Sequence, residues 1–296
     1  MFKIIAVIFI TIIPVMVRSQ KTAGLQELKR QVADTLTNQK GRFAVAFKDL
    51  STGNELFIHE HEIFHAASTM KTPVMIEVYK QAAEKKISLT DSIILKNEFK
   101  SIVDSSVYSL DTSDDSGFEL FKQAGNKTTI HNLVYEMITA SSNFSANTLI
   151  QLVGAKNVTQ TMRSLGVKDM QVLRGVEDQK AFDKGLNNVT TAYDLMLVFE
   201  NIAKGKIVNK KACSDMIKIL LDQKYNSIIP AKLPAAVKVA HKTGWLSALE
   251  HDSGIVFLPN GKKYVLVILS QDLEDKKAAI NAMANVSKMI YDFVTR

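Results

Sequence analysis

The chain predicts an α/β fold of the α+β type: an antiparallel sheet built from both chain ends with flanking helices, plus an inserted all-helical part. Three observations carry this. Strand-like segments fall near the two ends, between residues 41 and 64 and between 237 and 270. The stretch between them is mostly helical in pattern. Neither an internal repeat nor a long linker separates the ends, so their strands are expected to share one sheet. A length of 296 residues suffices for one large domain or two intimately packed ones.

In order, Lys3 precedes an apolar run from Ile4 to Val17, followed by Arg18-Ser19-Gln20. A charged start, a run shorter than a bilayer span and a small residue at a cut site read as an export signal cleaved after Ser19. An uncleaved membrane anchor is the alternative, which Pro14 inside the run disfavours. The expected division is residues 1–19 as signal, 20–66 and 226–296 as a discontinuous α/β domain, and 67–225 as an all-helical domain. Residues 26–37 have helical spacing (Leu28, Val32, Leu36), and residues 41–47 alternate like a half-buried strand. Ser51-Thr52-Gly53-Asn54 is a turn, with a return strand over 55–64. Helices follow after Ser68, from Thr128 through Met137, over 145–153 and over 192–203, with a polar loop at 109–117. The end returns to strands over 237–243, 253–258 and 264–270, then an amphipathic helix over 274–294.

Ser68 and Lys71 stand three residues apart in Ala66-Ala67-Ser68-Thr69-Met70-Lys71, just ahead of a helical pattern. Residues i and i+3 share a helix face, so the amine can reach the hydroxyl. A serine hydroxyl needs a neighbour that takes its proton, and a desolvated lysine can be that neighbour. A helix N-terminus adds free N–H groups for the negative charge of acyl transfer. This Ser-x-x-Lys is the only one in the chain; Ser141-Ser142-Asn143 follows, and then the only Lys242-Thr243-Gly244.

Those three motifs in that order resemble the active-site serine penicillin-recognising enzymes, most closely the class A β-lactamases. The resemblance runs from about Leu25 to the C-terminus. It implies Ser68 as nucleophile, Lys71 as its proton acceptor and Ser141 as the relay to the leaving nitrogen. Asn143 would bind the acyl amide of the substrate, while Lys242 and Thr243 would meet its carboxylate. Gly244 would let the strand approach the ligand, and the backbone N–H groups of Ser68 and Trp245 would form the oxyanion hole. Losing one such donor costs about 3–4 kcal/mol. Glu177, 34 residues beyond Asn143, has the spacing of the glutamate that activates the deacylating water, and Arg174 matches the family's loop arginine. The bland readings are helix caps for Ser141 and Asn143, a solvated charge for Lys242 and a loop-bracing ion pair for Glu177.

The chain departs from the pattern at two places. Ser142 replaces the usual aspartate, and Ala181 stands where an asparagine normally helps hold the water. Asn147 matches an asparagine that braces the site. The segment from Phe99 to Phe121 is longer than usual and brings Tyr108, Phe118 and Phe121 as candidates for the cleft rim or the core.

His61-Glu62-Ile63-Phe64-His65 has the spacing of a zinc-protease motif. That chemistry needs a helix, whereas the segment reads as strand, on which residues four apart lie about 13 Å from one another. No metal or organic cofactor is expected. Cys213 is the only cysteine and forms no internal disulfide; a structural or surface thiol is expected. The formal charge of +7 falls by two when Lys3 and Arg18 leave with the signal. Such an excess suits anionic ligands and is too diffuse for nucleic acid.

The resulting expectation is an exported bacterial enzyme, periplasmic or secreted, with no stable membrane anchor after signal removal and monomeric. It would act on a small-molecule β-lactam through a Ser68 acyl-enzyme. The alternatives are a D,D-peptidase-like hydrolase of peptidoglycan peptides, or a penicillin-binding sensor that acylates without turnover.

Overall fold

A computed structural model describes residues 13–111 and 118–296, with side chains from Gly24 to Asp111 and from Leu120 onward. The apolar run before Ile13, the side chains around the expected cut after Ser19, most of the loop at 109–117 and the side chain of Phe118 lie outside the described residues. Helix α1 (Ile13–Thr37) starts earlier than residue 26, the expected start. Among the described residues, no helix is long and apolar enough to cross a membrane.

Five strands form the main sheet: β1 (Arg42–Asp49), β2 (Glu55–Ile58), β3 (Lys238–Leu246), β4 (Leu249–Phe257) and β5 (Lys263–Gln271). Their order is β2-β1-β5-β4-β3, antiparallel throughout, so the two chain ends do meet in one sheet. The remaining long helices are α2 (Lys71–Ala83), α3 (Ile130–Thr139), α4 (Asn143–Val153), α5 (Ala155–Ser164), α6 (Ala192–Ala203), α7 (Lys210–Leu221) and α8 (Lys276–Thr295). Side-chain oxygens of Thr129, Ser142, Thr191, Asn209 and Asp275 cap α3, α4, α6, α7 and α8, each accepting a first-turn N–H.

Alternation along the strands builds two cores. Phe43, Val45 and Phe47 of β1, with Leu266 and Ile268 of β5, pack with Val32 of α1 and Met283 and Ile290 of α8. Ala44, Ala46, Val265 and Val267 point the other way and join Leu195 and Phe199 of α6 in the helical body. The expectation of a half-buried β1 is therefore corrected: residues 43–47 are buried on both faces. Large residues face α1 and α8, and small alanines let the helical body come close.

Three strand limits also differ from expectation, the first being β3, which runs on to Leu246 rather than ending at 243. β2 stops at Ile58 because His59 takes a left-handed backbone (φ +46°) and turns its Nδ1 to the carbonyl of Phe43 at 3.0 Å. β4 begins at Leu249, four residues before the expected start, and pairs Glu250 with Trp245 and Asp252 with Thr243. α2 is buried along nearly its whole length and begins at Lys71. Pro73 sits in its first turn, where the missing N–H breaks no helical bond.

Candidate active site

Ser68 lies in a single 3₁₀ turn, Ala67–Met70, that leads into α2, and Ala67 takes φ +43° to enter it. The edge strand β3 runs against this turn. A Cβ placed on Gly244 would stand 3.1 Å from the backbone nitrogens of both Ser68 and Thr69. A side chain there would crowd both nitrogens, so glycine favours this close approach. Ser68 is half-buried and lines a cleft of about 390 Å³ together with Ser141, Asn143, Glu177 and Trp245.

Beneath Ser68 lies a buried polar cluster. The Lys71 ammonium, fully buried, donates to the Ser141 carbonyl at 2.5 Å, the Ser141 hydroxyl at 3.3 Å and Asn143 Oδ1 at 2.9 Å. Lys242, also fully buried, donates to the same Ser141 hydroxyl at 2.9 Å and to the Thr243 carbonyl at 2.8 Å. Ser141 adopts φ +60°, a left-handed conformation that presents its hydroxyl to both amines. Among the described residues the Ser68 hydroxyl has no hydrogen-bond partner, and the amine of Lys71 is held on Ser141 and Asn143. These contacts exclude the reading of Lys242 as a solvated charge. They also leave Ser141 out of helix capping, because Ser142 is the cap of α4, its hydroxyl accepting from Ser145 N at 3.1 Å.

Burial pushes the Lys242 amine well below the usual lysine range, the charge of Lys71 adds to this, and Asp252 opposes it. A hydroxyl oxygen has two lone pairs and one proton. With both amines donating to Ser141 Oγ, its own proton is the one left to give. Behind Lys242, the buried His241 ring meets Asp252 Oδ1 at 2.8 Å and Asn226 Oδ1 at 3.2 Å, and Asp252 also accepts from Ile229 N at 3.0 Å. These contacts tie β3 and β4 to the segment after α7. Sequence reasoning missed this pair, since its partners lie on separate elements. Thr243 Oγ1 is buried, with no hydrogen-bond partner among the described residues.

Glu177 stands on the opposite wall, on an irregular segment, with φ +61°. Its carboxylate accepts from Asp111 N at 2.9 Å and lies 3.5 Å from Asn143 Nδ2. Asn143 thus touches both Lys71 and Glu177. Asn147 braces the segment as expected: its Oδ1 accepts from Val176 N at 2.6 Å, and its Nδ2 donates to the Val176 carbonyl at 2.9 Å. A Cβ on Gly175 would fall 2.6 Å from Asn147 Oδ1, so the brace also requires that glycine. The buried Arg174 guanidinium holds the carbonyls of Leu186 and Gly175 and the Asn187 side chain; burial lowers its pKa. Asp178, whose role the sequence did not reveal, is buried and accepts from Ser101 Oγ at 2.8 Å and Ile102 N at 2.9 Å. It also caps the short helix Gln179–Asp183, in which Ala181 is buried.

The aromatic candidates separate. Phe121 is core, stacked on Phe144 at 4.6 Å. Tyr108 donates to the Val176 carbonyl at 3.2 Å and supports the Glu177 segment from behind. His65 and Phe182, not singled out from sequence, line the cleft. The zinc-motif segment is not helical: residues 59–61 turn, and Phe64–His65 form a short strand paired with Val189–Thr190. His61 lies against Tyr193 at 4.8 Å, while His65 Nδ1 accepts from Ala67 N at 3.1 Å. Among the described residues, no group of three or more His, Cys, Asp or Glu side chains is placed to hold a metal ion. Cys213 is buried and donates to the Ile207 carbonyl.

A serine turn, a buried two-lysine cluster under a second serine, and a carboxylate across the cleft define a serine acyl-transfer centre. The profile of the β-lactamase enzyme family matches residues 27–294, and the chain belongs to that family. A β-lactamase from Bacteroides uniformis is 24% identical, the match covering 95% of each chain. The solved TLA-1 extended-spectrum β-lactamase superposes with a TM-score of 0.80 at 20% identity, over 92% of this chain and 100% of that one. An acyl-enzyme complex of PBP-A with penicillin G superposes with a TM-score of 0.78 at 23% identity, over 92% and 97%.

Proposed function

We propose that the chain is a serine β-lactamase of the class A type that opens the β-lactam amide through an acyl-enzyme on Ser68. The observation that carries this reading is the Ser141 hydroxyl, held by Lys71 at 3.3 Å and Lys242 at 2.9 Å beside Ser68 in one cleft. Ser68 Oγ attacks the β-lactam carbonyl as its proton passes to the neutral form of Lys71, the amine buried at the base of the cluster. The oxyanion forms against the backbone N–H groups of Ser68 and Trp245. The C–N bond breaks, and Ser141 hands its proton to the nitrogen while taking from Lys71 the proton that came off Ser68. Asn143 holds the acyl amide, while Lys242 and the unpartnered Thr243 hydroxyl hold the substrate carboxylate. Glu177 then takes a proton from the water that attacks the ester, and that proton returns to the Ser68 oxygen as the ester bond breaks.

The site is framed by the two parts expected from sequence, 20–66 with 226–296, and 67–225. Export after cleavage of residues 1–19, to the periplasm or outside, and a role in antibiotic resistance complete the proposal, with the mature chain a monomer. A second reading, acylation with slow or no turnover as in a penicillin-binding sensor or D,D-peptidase, is favoured by Ala181 in place of the water-holding asparagine. Sustained hydrolysis of a chromogenic cephalosporin supports the first reading. One equivalent released and then silence supports the second, and release of D-alanine from a muropeptide would identify the peptidase.

A further inference from the structure

Acylation asks Ser68 to turn both its hydroxyl and its N–H to the substrate, and the direction of each depends on the residue before it. Ala67 lies in the left-handed region at φ +43°, which a residue with a side chain keeps only where its surroundings hold it. The holding contacts differ along the turn. Ala66 N donates to the Asn188 carbonyl at 2.8 Å and Thr69 N to the Ala66 carbonyl at 3.0 Å, both bonds within the main chain. Ala67 N is held by a side chain instead, donating to His65 Nδ1 at 3.1 Å.

His65 is itself anchored from three elements. Its N–H donates to Gln271 Oε1 of β5 at 3.1 Å, its carbonyl accepts from His251 Nε2 of β4 at 2.9 Å, and its short strand pairs it with Val189. The half-buried ring lines the cleft and bridges from this fixed backbone to the left-handed residue. A main-chain N–H can only donate, so Nδ1 must be the unprotonated nitrogen, and the ring is neutral with its proton on Nε2. Burial first, then the charge of Arg174, push the imidazole below its usual 6.5, which keeps that form at neutral pH. His251, pushed down to about 4 by its own burial, stays neutral as well. Glu177 and Asp178 are the carboxylates on the same cleft, while Gln271 and the Val189–Thr190 strand bring no ionisable group. In the imidazolium both nitrogens carry protons, and Nδ1–H would then face Ala67 N–H with no acceptor between them.

Resting on the acyl-enzyme reading above, we propose that His65 is a positioning residue for Ser68: its neutral ring holds Ala67 in the left-handed conformation that aims the nucleophile, and acylation fails as the ring gains a proton. The ring touches neither substrate nor reacting atom in this role. It acts through one main-chain N–H, one residue ahead of the serine.

The test measures the second-order rate of Ser68 acylation by benzylpenicillin, by quenched intact-protein mass from pH 4.5 to 8, in the unaltered chain, His65→Leu and His65→Asn. Leucine offers no acceptor, and its rate falls about tenfold to 10²-fold at pH 7.5, the size usual for a misplaced reacting group. Asparagine can accept from the N–H two residues on and does not titrate, so it restores most of the rate. The ratio of the unaltered rate to the His65→Asn rate cancels the titration of Lys71 and Glu177, which both chains share. That ratio falls by about threefold or more from pH 7.5 to 4.5, as protonation leaves the unaltered ring without its acceptor. A ratio that stays level with pH, or His65→Asn no faster than His65→Leu, overturns the positioning role and leaves the acyl-enzyme reading standing. Absence of any adduct on Ser68 in the unaltered chain overturns both.

Discussion

Lys71, Ser141 and Lys242 meet on backbone that belongs to α2, the entry to α4 and β3, all buried, and each touches another directly. Glu177 stands across the cleft on an irregular segment, fixed through Asn147, Arg174 and Asp178 by hydrogen bonds to main-chain groups and polar side chains. One wall is therefore set by packing of regular elements, and the other by a few polar braces. In the proposed mechanism the first wall performs acylation and the second performs deacylation. The two half-reactions are then open to separate damage, and deacylation is the more easily lost.

The largest separation comes from the packed wall. Ser68→Ala removes the nucleophile and is expected to lower kcat/KM about 10⁴-fold or more, with no penicillin adduct by mass. An adduct in this variant would break the comparison at its root. Lys242→Met is expected next, with kcat/KM down about 10²–10³-fold, the size usual for one lost electrostatic contact at the reacting centre. Its stability should move the other way. Removing a buried amine leaves unfolding free energy equal or higher by about 1–2 kcal/mol at pH 7. The native Lys242 amine has its pKa well below the usual 10.5, so the unfolded chain binds the extra proton. Stability of the unaltered chain therefore rises with pH between the lowered value and 10.5. The gap to Lys242→Met should narrow as urea melts are taken from pH 7 upward, and parallel curves would contradict this.

The smallest effect belongs to the braced wall. Asn147→Ala strands the N–H of Val176, whose carbonyl keeps the Tyr108 hydroxyl, and should cost about 1–3 kcal/mol in a urea melt. Deacylation should slow by about 10-fold to 10²-fold through misplacement of Glu177, with acylation little changed. Equal loss in both steps would mean that the two walls are one unit.

Much of the packed wall was legible in the sequence, because its chemistry sits in contiguous motifs: Ser68 with Lys71, Ser141 with Asn143, and Lys242-Thr243-Gly244. The sheet was legible from the alternation in residues 41–47 and the strand-forming run at 264–270, though not its burial on both faces, which depends on helices contributed by distant segments. Polar residues hid structure. Glu250, His251 and Asp252 look like turn residues, yet they are buried in β4 because Lys276, the His65 carbonyl and His241 satisfy them. The braced wall was legible only at Arg174, Glu177 and Asn147. Asp178, Ser101 and Tyr108 act through contacts across some 70 residues or more of chain, and no spacing within one motif announces them.

The proposed mechanism stands or falls on Glu177→Gln mixed with benzylpenicillin and followed by intact-protein mass and peptide mapping. It predicts an adduct of the whole penicillin on Ser68 that forms at close to the unaltered rate and then persists, while the unaltered chain clears its adduct about 10²–10⁴-fold faster. Clearance by the variant as fast as by the unaltered chain, or an adduct on any other residue, would contradict it.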